Sequence, residues 1–243
     1  MAVFENLLQK IDSLRDVCAE NIGSREIHEI SVDVPQQPFD ELYFIKTVAW
    51  CYVLFNETGP FIRFSGKLLR ARPQAAEKYK EVKYFVQCAR TVHAHNLLSS
   101  SSTDAQTKRY YEIWTMENGG KPCSWEKCSK ALIKSMDEVL CEFQDGWRLR
   151  SEDESDRQEL WRDYESEKRT SWDAHEFDPF VTQAANEAQL EDFNSAAFRK
   201  EGNRVERWRK LVRYFGSRES AEKAVRRVIQ AEIFNTFGAP SDV

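Results

Sequence analysis

The chain has 243 residues, of which 41% are hydrophobic and 31% are charged, and its formal net charge is −5. This length and hydrophobic content exclude a wholly disordered chain and are enough for one large domain or two small ones, each with its own core. Only nine glycines and seven prolines occur, too few turn residues for a β-sandwich or barrel. The composition therefore predicts an all-α fold.

The N-terminal residues lack a basic segment followed by an uninterrupted apolar run, so no secretory signal is predicted. The longest apolar stretch, within residues 43–55, is too short to span a bilayer and contains Lys46. We therefore expect a soluble, cytoplasmic protein without a membrane partner.

Helical periodicity is clear in the N-terminal part of the chain. Apolar residues at steps of three and four predict a helix over residues 3–20, followed by an extended connector over residues 26–38. Alternating apolar residues in that connector also permit a short strand. Asp40 is predicted to cap a helix that ends at Asn56, and a short helix is expected over residues 61–71.

The next helices are predicted from their start and stop signals. Pro73 is expected to begin a helix whose apolar pattern continues to Leu98, before a serine-rich stretch breaks it. Asp104 is predicted to cap a helix that ends at Asn118, where two glycines follow. Ser124 is predicted to cap a further, strongly amphipathic helix.

Charge divides the chain into three parts. Residues 1–150 are predicted to form a helical bundle. Residues 151–177 are predicted to form an acidic linker or an exposed helix, because residues 151–169 carry eight acidic and four basic side chains. Residues 178–243 are predicted to form a basic, helical C-terminal subdomain. In it we expect one helix from Asp178 to beyond Phe193, and two more on either side of a turn at residues 215–217.

The cysteines give only a weak indication of a metal site. Cys123, Cys128 and Cys141 are candidate ligands, but no fourth ligand follows at zinc-finger spacing. The other three of the six cysteines lie among apolar neighbours and are expected to be buried free thiols. We therefore expect neither a metal nor a cofactor.

Familiar catalytic motifs are absent, but two of the four histidines, His93 and His95, lie in one short window with Arg90. An arginine can hold a phosphate through two donors and stabilise charge in the transition state. A histidine can take a proton from a 2′-hydroxyl or give one to the leaving oxygen. The window therefore suits phosphodiester cleavage in RNA.

Arg90-x4-His95, followed by Asn96 and set on an apolar helix, resembles the HEPN superfamily, whose hallmark is an Arg-x4–6-His motif. The resemblance covers roughly residues 1–150. It implies a metal-independent endoribonuclease, a toxin or defence effector, that cleaves single-stranded or loop RNA as a homodimer and can be held by a protein antitoxin or regulator. By that likeness Arg90 would stabilise charge and His95 would transfer protons, with Asn96 or His93 orienting the substrate.

Other interpretations of this window stay open. On an unbroken helix, Arg90 shares a face with His93, whereas Arg90 and His95 point about 140° apart. A bend in the helix or a second subunit is therefore needed to bring Arg90 and His95 together. The three residues could instead form a solvated helix end, or the two histidines a metal pair. A non-catalytic helical protein-interaction module is then the alternative function.

A basic stretch near the C-terminus is the second candidate site. Residues 199–227 carry eleven cationic and four acidic side chains, a local net charge of +7. Two helices joined by a tight turn resemble a helix-turn-helix, so a nucleic-acid-binding regulator is another alternative. Alternatively, the two helices form an amphipathic surface with Trp208 in the core, and the acidic residues 151–169 neutralise its positive charge. The candidate nucleic-acid-binding residues are Arg204, Arg207, Trp208, Arg209, Arg213, Arg226 and Arg227.

Overall fold

The structure is a computed structural model that describes residues 2–23, 26–98 and 100–238. All regular elements in these ranges are helices, so the predicted all-α fold is confirmed. Residues 26–38 form an irregular connector, and the short strand that their pattern permits does not form. None of the described helices is both long and apolar enough to cross a bilayer.

The chain divides into two compact units, residues 1–162 and residues 163–243. The helices of the first unit are α1 (Ala2–Ile22), α2 (Glu41–Asn56), α3 (Pro60–Leu68), α4 (Pro73–Ala94), α5 (Ser102–Gly119), α6 (Trp125–Leu149) and the first part of α7 (Glu154–Thr170). Those of the second are the rest of α7, α8 (Asp178–Glu187), α9 (Ser195–Lys200), α10 (Arg204–Val212) and α11 (Arg218–Phe237). Short 3-10 turns cover Leu69–Ala71, Ala174–Phe177 and Glu201–Asn203.

Side-chain caps set several helix starts. Asp40 accepts a hydrogen bond from the Tyr43 amide at 2.9 Å, as predicted for the start of α2. The predicted cap at Asp104 is wrong. Ser101 caps α5 by accepting from the Asp104 amide at 3.3 Å, and the Asp104 carboxylate accepts from the Leu98 amide instead. The chain before α5 is therefore tied to its first turn.

In the first unit, α6 packs against each of the helices α1 to α5 and forms the centre of the bundle. Its buried face includes Trp147, whose indole stacks on Phe61 with ring centroids 4.5 Å apart. Helix α4 lies between α2 and α5, so its C-terminal end, which carries the Arg-His window, has a helix on each side.

The second unit has its own aromatic core. Trp172 stacks on Phe177 at 5.3 Å, and Phe177 also contacts the ring of Trp208. The single helix predicted from Asp178 to beyond Phe193 is wrong, because α8 ends at Glu187. Gln189 and Asp192 then take left-handed conformations with φ near +59° and +52°, which the helical periodicity did not reveal.

Gly66 in α3 has no room for a side chain. A Cβ atom there would lie 2.4 Å from Cε1 of Tyr79, whose ring is held between Phe55 and Phe143 at centroid distances of 5.6 and 5.2 Å. We expect Gly66→Ala to lower the free energy of unfolding by about 1–3 kcal/mol, because the packed ring cannot move aside.

Gly146, inside α6, is the matched control. A Cβ atom there would meet its nearest neighbour, Cβ of Leu68, at 3.5 Å, an ordinary contact. Gly146→Ala should leave stability unchanged or raise it by up to about 1 kcal/mol, since alanine favours helix. Urea unfolding monitored by circular dichroism measures both variants, and equal shifts in the two would contradict this account of Gly66.

Candidate active site

The candidate site lies where α4 ends. The apolar pattern predicts a helix that continues to Leu98, but α4 stops at Ala94. His95 is the C-cap, with an extended backbone (φ −128°, ψ 150°), and its amide donates to the Thr91 carbonyl at 3.1 Å. The histidine therefore leaves the helical path, and the angular separation expected on a continuous helix does not apply.

This change of direction brings Arg90 and His95 together within one chain. Nη1 of Arg90 lies 2.8 Å from Nε2 of His95, a hydrogen-bond distance. A guanidinium has only donors, so in this hydrogen bond Nε2 of His95 is the acceptor. The side chains of the Arg-x4-His motif thus meet without a second subunit.

An aromatic ring on the neighbouring helix supports the guanidinium. Cζ of Arg90 lies 4.9 Å from the ring centroid of Tyr52 in α2, a cation–π contact. Arg90 is half-buried and His95 is exposed. Among the described residues, the guanidinium donates to no group besides His95, so its other N–H groups can bind an anion from solvent. Helical periodicity gives no indication of this contact, because it joins two different helices.

His93 lies in a different environment. Its Nε2 atom is 3.0 Å from the hydroxyl of Tyr111 in α5, and its ring makes T-shaped contacts with the rings of Tyr111 and Phe44. Burial lowers the pKa of His93, and the nearby Glu41 carboxylate partly opposes that shift. His93 therefore ties α4 to α5 and α2, whereas His95 is the histidine that contacts Arg90.

The residues beside the motif make few contacts. Asn96 is exposed on the irregular chain after α4, and its side chain forms no hydrogen bond with the described residues. The hydroxyl of Thr91 donates to the Gln87 carbonyl at 2.8 Å and so is occupied within the helix. Ser99, predicted to break this helix, lies outside the described residues. Asn96 remains available to a bound molecule.

The candidate metal ligands do not converge. Sγ of Cys123 and Sγ of Cys128 are 3.8 Å apart, but Sγ of Cys141 contacts Nζ of Lys10 at 3.0 Å. The part of the chain that the structure describes holds no group of three His, Cys, Asp or Glu side chains suited to a metal ion. His93 and His95 contact different partners, so they do not form the metal pair considered from the sequence.

Carboxylates within the second unit occupy many of the basic residues near the C-terminus. Arg199 pairs with Asp178, and Arg218 pairs with Glu176. Other pairs join Arg204 to Glu201 and Glu232, Arg207 to Glu232 at 3.0 Å, and Arg209 to Glu206 at 2.7 Å. Of these partners, only Asp178, Glu176 and Glu232 lie outside residues 199–227, and they lower the local charge from +7 to +4.

Trp208 and Arg226 also have partners in the second unit. Trp208 is wholly buried in the core and lies on no binding surface. The guanidinium of Arg226 lies 5.5 Å from the ring centroid of Phe180. Lys210, Arg213 and Arg227 are exposed and form no ion pair among the described residues. These three residues and Lys200, which is likewise exposed without an ion pair among the described residues, are the cations of this segment most available to an external anion.

No family model matches the chain, and no curated protein or solved structure is significantly similar to it. We therefore infer function from the sequence and from the geometry of the site.

The buried environment of His93 predicts a dependence of stability on pH. Its pKa in the folded chain lies below the usual 6.5, so below pH 6.5 the unfolded chain binds the proton more readily. His93 should therefore reduce the free energy of unfolding as the pH falls from 6.5 through its folded pKa. In urea titrations at a series of pH values, the free energy of unfolding of His93→Gln should run parallel to that of the wild type above pH 6.5. Below pH 6.5, it should fall less than that of the wild type. Identical curves below pH 6.5 would contradict a buried, neutral His93.

Proposed function

We propose that this chain is a metal-independent endoribonuclease that cleaves RNA by attack of a 2′-hydroxyl on the adjacent phosphate. The observation that supports it most is the 2.8 Å contact between Arg90 and His95 at the exposed end of α4. A fixed cation next to an accessible imidazole supplies both functions that this transesterification needs. The resemblance to HEPN proteins adds the role of a toxin or defence effector.

Each residue has a defined role in this reaction. The phosphate replaces His95 as the partner of the Arg90 guanidinium, which stays over the Tyr52 ring. The freed Nε2 of His95 then takes the proton of the 2′-hydroxyl, whose oxygen bonds to phosphorus as the bond to the 5′-oxygen breaks. The products are a 2′,3′-cyclic phosphate and a 5′-hydroxyl, the latter protonated by the imidazolium or by water. Asn96, exposed beside the pair, can orient the phosphate or a base.

The proposed substrate is single-stranded or loop RNA. Unstacked nucleotides leave their 2′-hydroxyl, phosphate and base accessible to side chains, whereas a paired A-form helix presents mainly its shape and backbone. Because His95 is exposed at the end of α4, a flexible strand can reach the Arg-His pair, and no duplex has to be opened.

A homodimer, and a protein antitoxin or regulator, belong to the same proposal through the family resemblance. Because Arg90 and His95 meet within one chain, a second copy would add another site rather than complete this one. A regulator that covers the end of α4 would block access to His95. Light scattering of the purified protein measures the oligomeric state.

The proposal is tested by incubating the purified protein with end-labelled synthetic RNAs, with and without EDTA. We expect cleavage at unpaired positions under both conditions, with 2′,3′-cyclic phosphate ends identified by mass spectrometry. If no RNA is cleaved with or without divalent ions, the chain is better described as a non-catalytic helical protein-interaction module.

The unpaired cations of the second unit favour an additional role in RNA affinity. Reversing Lys210, Arg213 and Arg227 to Glu should weaken RNA binding, and the slope of log affinity against log salt should become shallower by about 2 for a single strand. Cleavage should persist at high enzyme concentration. Fluorescence anisotropy over a salt series measures both quantities.

The matched control reverses three exposed lysines of the first unit, Lys108, Lys127 and Lys134, to Glu. This variant should keep a salt slope close to that of the wild type. Equal effects of the two triple variants would mean that total charge, and not the surface of the second unit, determines binding.

A further inference from the structure

Cys123 and Cys128 lie together at the start of α6. Ser124 is the N-cap of this helix, so Cys123 precedes the cap and Cys128 is the fourth helical residue. Side chains at these two positions commonly pack together as a hydrophobic staple. Here both are cysteines, and their Sγ atoms lie 3.8 Å apart. The helix start itself therefore holds two thiols in contact.

The backbone before α6 keeps this arrangement compact. The Ser124 amide donates to the Gly119 carbonyl at 3.0 Å, which closes the turn between α5 and α6. A Cβ atom on Gly119 would lie 2.7 Å from Sγ of Cys128 and 2.8 Å from Sγ of Cys123. Both sulfur atoms thus pack directly against a glycine, and a larger residue there would force them to shift.

The two thiols differ in exposure. Cys123 is exposed and lines an open groove of about 430 Å³ with Arg109, Met116 and Lys121. Cys128 is fully buried, and its thiol donates to the Thr115 carbonyl at 3.6 Å. Burial raises the pKa of Cys128 to about 12. Small oxidants therefore have access to Cys123, while Cys128 is positioned behind it as a partner.

We propose that Cys123 and Cys128 are a redox-active pair that forms a reversible disulfide when Cys123 reacts with a peroxide. The Cys123 thiolate attacks one peroxide oxygen, the O–O bond breaks, and the leaving oxygen departs as water after taking a proton. The Cys128 sulfur then attacks the resulting sulfenic acid, its proton leaves with the hydroxyl as a second water, and the S–S bond forms. Two thiols and one hydrogen peroxide thus give one disulfide and two waters.

The structural change required is small. A disulfide has an S–S length of about 2.05 Å, so the sulfur atoms must approach by about 1.8 Å. We expect rotation of the two cysteine side chains to supply this movement. Redox-sensing cysteines are often accessible to solvent and lie next to a resolving thiol, as Cys123 does.

Hydrogen peroxide treatment of the full chain tests this proposal. After alkylation of the remaining thiols under denaturing conditions, intact mass spectrometry should show two fewer alkylated cysteines, and peptide mapping should find Cys123 linked to Cys128. Dithiothreitol should restore both thiols. Oxidation of Cys123 to sulfinic or sulfonic acid while Cys128 is still alkylated would overturn the proposal, as would a disulfide between two chains.

Single variants separate the roles of the two thiols. In Cys128→Ser, peroxide should leave a sulfenic acid on Cys123 that dimedone traps, and no intramolecular disulfide should form. The matched control is Cys141→Ser, which removes a thiol outside the pair and should oxidise as the wild type does. A wild-type disulfide that links Cys141 to either partner would also overturn the assignment.

Discussion

His95→Ala should abolish RNA cleavage while the fold is retained. A positioned general acid or base contributes roughly 100- to 10,000-fold to a rate, so its loss is easily measured. His95 is exposed and lies after the last turn of α4, so truncation of its side chain should cost little stability. Single-turnover cleavage of labelled RNA gives the rate, and circular dichroism reports the fold.

His93 provides the internal control for this experiment. His93→Gln replaces a ring that contacts Tyr111 and not Arg90, so it should keep most of the cleavage activity. Loss of activity in His93→Gln but not in His95→Ala would mean that the site is correct and the assigned histidine is wrong.

Arg90→Ala should reduce cleavage to a similar degree, through a different function. This variant removes the guanidinium that would bind the phosphate and stabilise charge in the transition state. Arg90→Lys keeps the charge but lacks the planar guanidinium, which can donate two hydrogen bonds to the phosphate while it lies over the Tyr52 ring. We therefore expect Arg90→Lys to stay well below wild-type activity.

Non-additivity is the sharper test of this pair. If Arg90 and His95 act as one unit, the double Ala variant should cleave RNA little more slowly than either single variant. Rate losses that multiply in the double variant would show that the two residues act independently.

Local sequence signals predicted much of the helical fold. Asp40 and Ser124 each accept a hydrogen bond from the amide three residues later, as predicted for these two N-caps. Pro73 begins α4 as predicted. These signals operate within a single turn of helix, and for that reason they can be recognised without knowledge of the tertiary structure.

The geometry of the site depended on features that the sequence does not display. No glycine or proline lies between Arg90 and Leu98, so the pattern gave no reason to end α4 at Ala94. The support of Arg90 by Tyr52 joins two helices that are far apart in sequence. Helical periodicity contains no information on the end of α4 or on the contact with Tyr52. The sequence therefore identified Arg90 and His95 but not how their side chains meet.

Pairing of charges was equally hidden near the C-terminus. The count of eleven cations in residues 199–227 suggested one basic surface. Arg207 instead pairs with Glu232, which lies outside the counted segment, and Arg218 pairs with Glu176. Local net charge overestimates a basic surface wherever acidic partners come from distant parts of the chain.

In the proposed reaction the nucleophile is the 2′-hydroxyl of the RNA itself, and a substrate that lacks one such hydroxyl tests this most directly. An RNA with a single 2′-deoxyribose 5′ to the mapped cleavage site should be resistant at that linkage while neighbouring ribose linkages are still cut. Cleavage of the deoxyribose linkage at the ribose rate would contradict transesterification by Arg90 and His95, since water would then have to be the nucleophile.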